Sequence, residues 1–105
     1  MSFQSIIKRA LEIRAKYAEF EKKEYGSEWT KEQLVQGFVG DVEDLVSLTV
    51  KKDNSEGNSD TNQKIRHELA DCLWSVIVIA EKYGVDLEEA FYDTMDELDN
   101  RLTSK

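Results

Sequence analysis

An almost unbroken apolar run occupies residues 72–80, where only Ser75 is polar. The run lies within a longer segment, residues 64–82, that contains neither proline nor glycine and is followed by Tyr83 and Gly84. Its valine and isoleucine residues would also suit a β-strand, but the length of the segment and the glycine after it favour an α-helix. Because a helix that is apolar on all sides has to be covered, we expect protein or a partner chain around it.

Two carboxylates, Glu68 and Asp71, stand at the start of this apolar run. They are three residues apart, so on a helix they share one face. A charged group beside an apolar core is costly unless another group compensates its charge. A bound metal ion is one such compensation, which makes the pair candidate metal ligands.

Composition limits both the fold and the partners. A length of 105 residues predicts a single domain over residues 1–105, small enough that oligomerisation would help it to bury a core. The formal net charge of −8 argues against non-specific binding to nucleic acid or to an anionic membrane. The single cysteine, Cys72, is expected to be a small core residue. The N-terminal sequence lacks the pattern of a signal peptide, so we expect a cytoplasmic location.

Apolar residues that recur at steps of three and four predict three further helices. The first spans residues 2–24, the second spans residues 31–52, and the last begins at Asp86, with Glu89 in the capping position. A polar segment, residues 51–63, is predicted to be the loop before the apolar helix. Since no alternating strand pattern competes, we predict an all-α fold, a four-helix bundle-like single domain completed by dimerisation.

The predicted second helix has a clear start and two unusual interior residues. Thr30 and Gln33 have the spacing of a capping box. Gly37 and Gly40 lie inside the helix, where each costs about 1 kcal/mol relative to alanine. Either the helix tolerates them, or they let another group approach its backbone closely.

The second helix carries an acidic pair of its own, Asp41 and Asp44, at the same spacing. If the second and third helices are antiparallel neighbours, this pair can face Glu68 and Asp71. Carboxylate oxygens suit hard divalent cations such as Mg²⁺ or Mn²⁺. Chance pairs are expected among 22 acidic residues, and most of them belong to solvated helix faces. The pair of Asp41 and Asp44 and the pair of Glu68 and Asp71 differ from such chance pairs because apolar residues alternate with their carboxylates.

Three phrases of the sequence resemble one known family. ELADCL at residues 68–73 follows an E-L-x-D-x-L pattern, YGVDLEEAF at residues 83–91 resembles a turn into a last helix, and Trp29-Thr30 resembles the start of a second. With the acidic pairs, the chain from about residue 29 to residue 102 resembles the MazG-like family of all-α nucleoside triphosphate pyrophosphohydrolases.

The resemblance implies hydrolysis of a nucleoside triphosphate between its α- and β-phosphates, which gives the monophosphate and pyrophosphate. The predicted ligands of Mg²⁺ or Mn²⁺ are Asp41, Asp44, Glu68 and Asp71. We predict that Asp44 also orients or deprotonates the attacking water. The resemblance further implies a homodimer or homotetramer with the site near a subunit interface.

The sequence departs from the family pattern at the first acidic pair. Asp41 and Asp44 stand where the family has glutamates, so each carboxylate is one methylene shorter. Arg101 matches an arginine near the end of the last helix, but acidic residues stand where a lysine is often found. We predict Lys51, Lys52 and Arg101 as phosphate ligands, with ordinary surface cations as the alternative.

Three other residues have a structural and a functional interpretation. His67 is predicted to be a solvated or structural residue rather than a catalytic base. Trp29 and Trp74 are predicted to pack at a helix start and in the core, with stacking on a nucleobase as the alternative. Two other functions also stay open: a helical oligomerising interaction module, and a catalytically weak binder of nucleotide or metal.

Overall fold

A computed structural model describes residues 2–52 and 59–103 of the chain. The chain forms four helices: α1 (Phe3–Tyr25), α2 (Lys31–Lys51), α3 (Ser59–Lys82) and α4 (Leu87–Thr103). Within the described ranges there is no β-strand, so the predicted all-α fold is confirmed. None of the helices in these ranges has the length and hydropathy needed to cross a bilayer.

Local hydrogen bonds fix the helix ends where the sequence predicts them. α1 ends at Tyr25 and is capped by Gly26, whose φ of 87° is left-handed and therefore suits glycine. At the start of α2, the Thr30 hydroxyl accepts from the Gln33 N–H at 3.2 Å, and the Gln33 side chain accepts from the Thr30 N–H at 2.8 Å. The Asp86 carboxylate accepts from the Glu89 N–H at 3.1 Å and caps α4. Both predicted caps are confirmed.

The predicted loop at residues 51–63 is wrong at its end, because α3 already begins at Ser59. Asp60 lies in the first turn of α3, where the helix dipole favours a negative charge. Lys64, one turn later, pairs with Asp60 at 3.3 Å, which supports a helix in this polar stretch. The rest of the predicted loop, residues 53–58, lies outside the described residues.

The core of the molecule forms around α3. α2 and α3 make the most extensive contact between helices, and α1 packs on α3 over a smaller area. The most buried apolar residues, Ile77, Val78 and Ala80, are 3%, 3% and 9% exposed. Leu69 and Leu73, by contrast, remain 54% and 44% exposed. The apolar helix is therefore covered by its own chain on part of its surface only.

α4 projects an apolar face that the described chain does not cover. Phe91, Met95, Leu98 and Leu102 form a stripe with helical spacing, and all four are exposed. α4 makes no extensive contact with the other described helices. The Cα radius of gyration is 16.8 Å, compared with about 13 Å expected for a compact chain of this length. The shape is thus more open than that of a self-contained domain.

Candidate metal centre

The packing of α2 on α3 brings the predicted carboxylates together. Ligand atoms of Asp41, Asp44 and Glu68 lie within 4.8 Å of one another. Glu68 also belongs to a second group, with Asp71 and His67, in which the ligand atoms again lie within 4.8 Å. Glu68 therefore links the two acidic pairs.

Glu68 has the least favourable electrostatic surroundings of the cluster. Its Oε2 is shielded from solvent and accepts no hydrogen bond from the described residues. Burial raises the pKa of Glu68, the charges of Asp71, Asp41 and Asp44 raise it further, and His67 lowers it. A divalent cation would satisfy the unpaired oxygen and offset the repulsion. Because all four acids offer hard oxygen ligands, this donor set fits Mg²⁺ or Mn²⁺.

His67 stands at the edge of the cluster. Its Nε2 lies 3.1 Å from Asp71 Oδ2, and its side chain is 73% exposed. The contact is an ion pair only when the imidazole carries a proton. The same contact uses a carboxylate oxygen that a metal ion would also use.

Two cavities adjoin the carboxylates. The first has a volume of about 430 Å³, and Asp41 and Asp71 lie in its wall. The second has a volume of about 440 Å³ and is lined by Asp44 and Glu68. His67 borders both. A ligand with two chemically distinct ends could therefore contact the cluster from both spaces.

Aromatic side chains form much of the wall of the first cavity, namely those of Tyr17, Trp29 and Trp74. Trp74 is held in place because its Nε1–H donates to the Ala10 carbonyl at 2.9 Å and its ring centroid lies 5.6 Å from that of Tyr17. The Trp29 indole lies over Gly37, where an added Cβ would come within 3.2 Å of the ring. Gly37 therefore permits a close approach to the α2 backbone, as one of the two interpretations expected.

A buried ion pair, which the sequence analysis missed, forms another part of the same wall. Arg14 and Glu21 side chains are 9% and 7% exposed, and Arg14 Nη1 donates to Glu21 Oε2 at 3.1 Å. The Trp29 N–H donates to Glu21 Oε1 at 2.9 Å. Burial raises the pKa of Glu21, but the hydrogen bonds from Arg14 and Trp29 outweigh it, so the pKa is lowered overall. The seven-residue spacing, about two helical turns, was the available signal.

The predicted phosphate ligands lie at the C-terminal ends of α2 and α4. Lys51 and Lys52 are exposed at the end of α2, and Arg101 pairs with Glu97 on α4 at 3.6 Å. None of the three lines either cavity described above. Lys64 does line the second cavity; the sequence pattern placed it at the start of the apolar helix and did not mark it as a phosphate ligand. Phosphate binding by the first three residues stays a prediction.

One comparison with known protein families gives a match. The sequence model of the MazG nucleotide pyrophosphohydrolase domain matches residues 30–103. This match covers more than half of the chain and includes all four carboxylates. Searches of curated proteins and of solved structures gave no significant match.

Proposed function

Because this chain belongs to the MazG nucleotide pyrophosphohydrolase family, we propose that it is a metal-dependent enzyme that hydrolyses nucleoside triphosphates to the monophosphate and pyrophosphate. One observation carries the proposal. Ligand atoms of Asp41, Asp44 and Glu68 meet within 4.8 Å, inside the segment that matches the family.

A divalent cation, Mg²⁺ or Mn²⁺, would neutralise charge on the phosphate oxygens when bound. Asp41, Asp44, Glu68 and Asp71 are the residues that would hold it. The unpaired, shielded Oε2 of Glu68 supports this assignment, since a buried acceptor without a partner costs about 1–3 kcal/mol.

Asp44 is our candidate for the residue that activates water. Its side chain is exposed and lines the second cavity, so water can reach it. In the reaction, the water oxygen bonds to one phosphorus of the α,β bridge, and the bond from that phosphorus to the bridging oxygen breaks. Asp44 orients the water and accepts its proton. The products are the monophosphate and pyrophosphate.

The first cavity is the proposed place for the nucleoside. Its volume of about 430 Å³ lies within the range of small-molecule sites. The aromatic rings of Tyr17, Trp29 and Trp74 offer apolar surfaces against which a base can pack, and such stacking is worth roughly 1–3 kcal/mol. Asp41 in the same wall connects this space to the acidic cluster.

Four cations are our candidates for binding the phosphates. Lys51, Lys52 and Arg101 remain our candidates from the sequence. Lys64 joins them because it lines the second cavity together with Asp44. Its ion pair with Asp60 is exposed, so exchanging that carboxylate for a phosphate costs little.

We also propose that the protein assembles as a homodimer or homotetramer in the cytoplasm, without nucleic acid or membrane as a partner. The exposed apolar stripe of α4 supports the assembly. So does an apolar cavity of about 380 Å³ where Phe3, Leu73 and Phe91 approach one another. The net charge of −8 supports the exclusion of anionic polymers and surfaces.

The decisive experiment measures pyrophosphate release from a panel of canonical and modified nucleoside triphosphates, with Mg²⁺, with Mn²⁺ and with a chelator. We expect release from at least one substrate that stops when the metal is removed. Thermal unfolding with and without metal is recorded in parallel.

The same two readouts separate the alternatives. Metal-linked stabilisation without release would identify a weak or non-catalytic binder. If neither is seen, the second candidate, an oligomerising helical module, becomes the better interpretation, since the exposed stripe of α4 already favours it.

A further inference from the structure

Ser75, the polar residue within the apolar run of α3, has a partner on the neighbouring helix. Its hydroxyl donates to Asp41 Oδ2 at 3.2 Å. Helical serines commonly return their hydroxyl to the carbonyl four residues earlier, but this one crosses from α3 to α2. Both residues are half-buried and lie in the wall of the first cavity. A hydroxyl among apolar residues is costly without a partner, and Asp41 provides one.

Ser75 also continues the line of acidic residues on α3. Asp71 lies four residues before it and Glu68 lies seven residues before it, which correspond to one and two helical turns. The three side chains therefore share one face of α3. That face is turned to α2, because Glu68 meets Asp41 there and Ser75 bonds to the same carboxylate.

The contact leaves Asp41 able to bind a cation. A carboxylate offers about four lone-pair positions on its two oxygens, and the Ser75 hydroxyl uses one position on Oδ2. Asp41 still contributes an oxygen to the group of ligand atoms within 4.8 Å of one another. The hydrogen bond restricts the rotation of the carboxylate without occupying the whole of it.

We propose that Ser75 is a positioning residue, which holds the short Asp41 side chain in the orientation required for a metal ligand. The inference rests on the proposed function, because it assumes that the acidic cluster binds a divalent cation. Aspartate is one methylene shorter than the glutamate of the family pattern, so a small error in its orientation moves its oxygen away from the cluster. Hydrogen-bond partners of ligating groups typically change metal affinity by 10- to 100-fold.

The test is a Mn²⁺ titration of the full chain by calorimetry, without nucleotide, on the wild type and on a set of variants. We expect Ser75→Ala to weaken Mn²⁺ binding by about tenfold or more. Ser75→Thr keeps the hydroxyl and should restore most of the affinity. Thr49→Ala is the matched control, because the Thr49 hydroxyl donates to the Val46 carbonyl within α2 and its loss should leave Mn²⁺ binding unchanged.

A double-mutant cycle separates positioning from a general structural effect. In an Asp41→Ala background, the further change Ser75→Ala should have no additional effect on Mn²⁺ affinity. Steady-state kinetics add a second criterion: the metal concentration for half-maximal rate should rise in Ser75→Ala, while the rate at saturating metal changes less. Should Ser75→Ala fold poorly, Ser75→Val, which has the shape of the threonine variant without its hydroxyl, replaces it in the same comparison.

The outcomes distinguish the inference from the function on which it rests. Wild-type affinity in Ser75→Ala, or an equal loss in the Asp41→Ala background, would overturn the role of Ser75 and leave the metal centre intact. Absence of Mn²⁺ binding to the wild type, or binding unaffected by Asp71→Asn, would overturn the metal centre and the inference with it. Both the metal centre and the role of Ser75 are supported if Ser75→Ala loses Mn²⁺ affinity, Ser75→Thr keeps most of it, and Ser75→Ala has no further effect in the Asp41→Ala background.

Discussion

α3 and α4 share a pattern of apolar and acidic residues but differ in how far their apolar residues are buried. Each combines an apolar stripe with acidic residues spaced by three. In α3 the apolar residues Ile77 and Val78 are buried by α1 and α2, whereas in α4 Phe91 and Leu98 remain 55% and 42% exposed. The difference teaches that the core of the described chain forms around α3, whereas the apolar stripe of α4 stays uncovered.

The acidic residues of α3 and α4 also differ in their exposure to solvent. Asp93 and Asp96 on α4 have the spacing of Glu68 and Asp71, but they are exposed, and their spacing predicts nothing beyond a solvated face. Glu68 is shielded, lacks a hydrogen-bond partner among the described residues and has a raised pKa. The shielding of Glu68 Oε2 among other carboxylates, and not the spacing alone, makes the cluster a candidate site.

The largest effect is expected from removing one carboxylate from α3 and, for comparison, one from α4. We expect Asp71→Asn to lower metal-dependent pyrophosphate release by more than about 100-fold, since even the partners of metal ligands matter by roughly 10- to 100-fold. Asp93→Asn on α4 is the matched control and should retain wild-type activity. Circular dichroism checks that both variants fold. Residual activity of Asp71→Asn close to that of the wild type would show that the site is assigned wrongly.

A second test concerns the uncovered face of α4. Leu98→Asp should weaken self-association by roughly 10- to 100-fold, because burying a leucine contributes about 1.5–3 kcal/mol and 1.4 kcal/mol corresponds to a factor of about ten. Analytical ultracentrifugation over a range of concentrations measures the change. Asn100→Asp adds the same charge to α4 without removing an apolar side chain, and it should associate like the wild type. Equal behaviour of the two variants would argue against an interface on this stripe.

The ends of the helices were predictable where local chemistry decides them. The capping box of Thr30 and Gln33 is a short-range arrangement of side chain and backbone, so its sequence pattern was sufficient. The start of α3 at Ser59 was not predicted, because the composition of the segment is that of a loop. Its helix is supported by the pair of Asp60 and Lys64, whose effect a count of polar residues does not capture.

The candidate site was predictable only in part. The sequence indicated that the four carboxylates can face one another if α2 and α3 are antiparallel neighbours. In the structure, Glu68 belongs both to the group with Asp41 and Asp44 and to the group with Asp71 and His67. The bond from Ser75 to Asp41 joins residues on different helices, so it depends on the packing of α2 against α3. The ion pair of Arg14 and Glu21 is buried by residues from other parts of the chain, so its burial cannot be read from the sequence of α1. Contacts of this kind follow from tertiary structure and leave little trace in local patterns.

Two glycines of α2 differ in their surroundings, because Gly37 lies against the Trp29 ring and Gly40 faces open space. An added Cβ at Gly40 meets no atom within 4 Å, so Gly40→Ala should raise the free energy of unfolding by up to about 1 kcal/mol through helix propensity. At Gly37 the Cβ would lie 3.2 Å from the Trp29 ring, so Gly37→Ala should gain less or lose stability, and it should raise the KM for the nucleotide. Urea unfolding and steady-state kinetics measure these effects. Identical behaviour of both variants would contradict the close approach of Trp29.

The smallest expected effect is the pH dependence of stability that Glu68 on α3 confers. The pKa of Glu68 is raised from its ordinary value of 4.5, first by burial and then by Asp71, Asp41 and Asp44. The folded protein therefore holds this proton more tightly than the unfolded chain does. Its contribution to stability is complete below about pH 4.5 and is lost as the pH rises through the raised pKa.

Glu68→Gln removes this titration. In chelator, the variant should match the wild type at low pH and exceed its stability at neutral pH, as measured by urea unfolding at each pH. With Mg²⁺ the order at neutral pH should reverse, because the ion then stabilises the wild-type carboxylate by binding it. Asp96→Asn on α4 should show neither effect. If metal leaves the order of Glu68→Gln and wild type unchanged, Glu68 is a buried acid of structural importance and not a ligand.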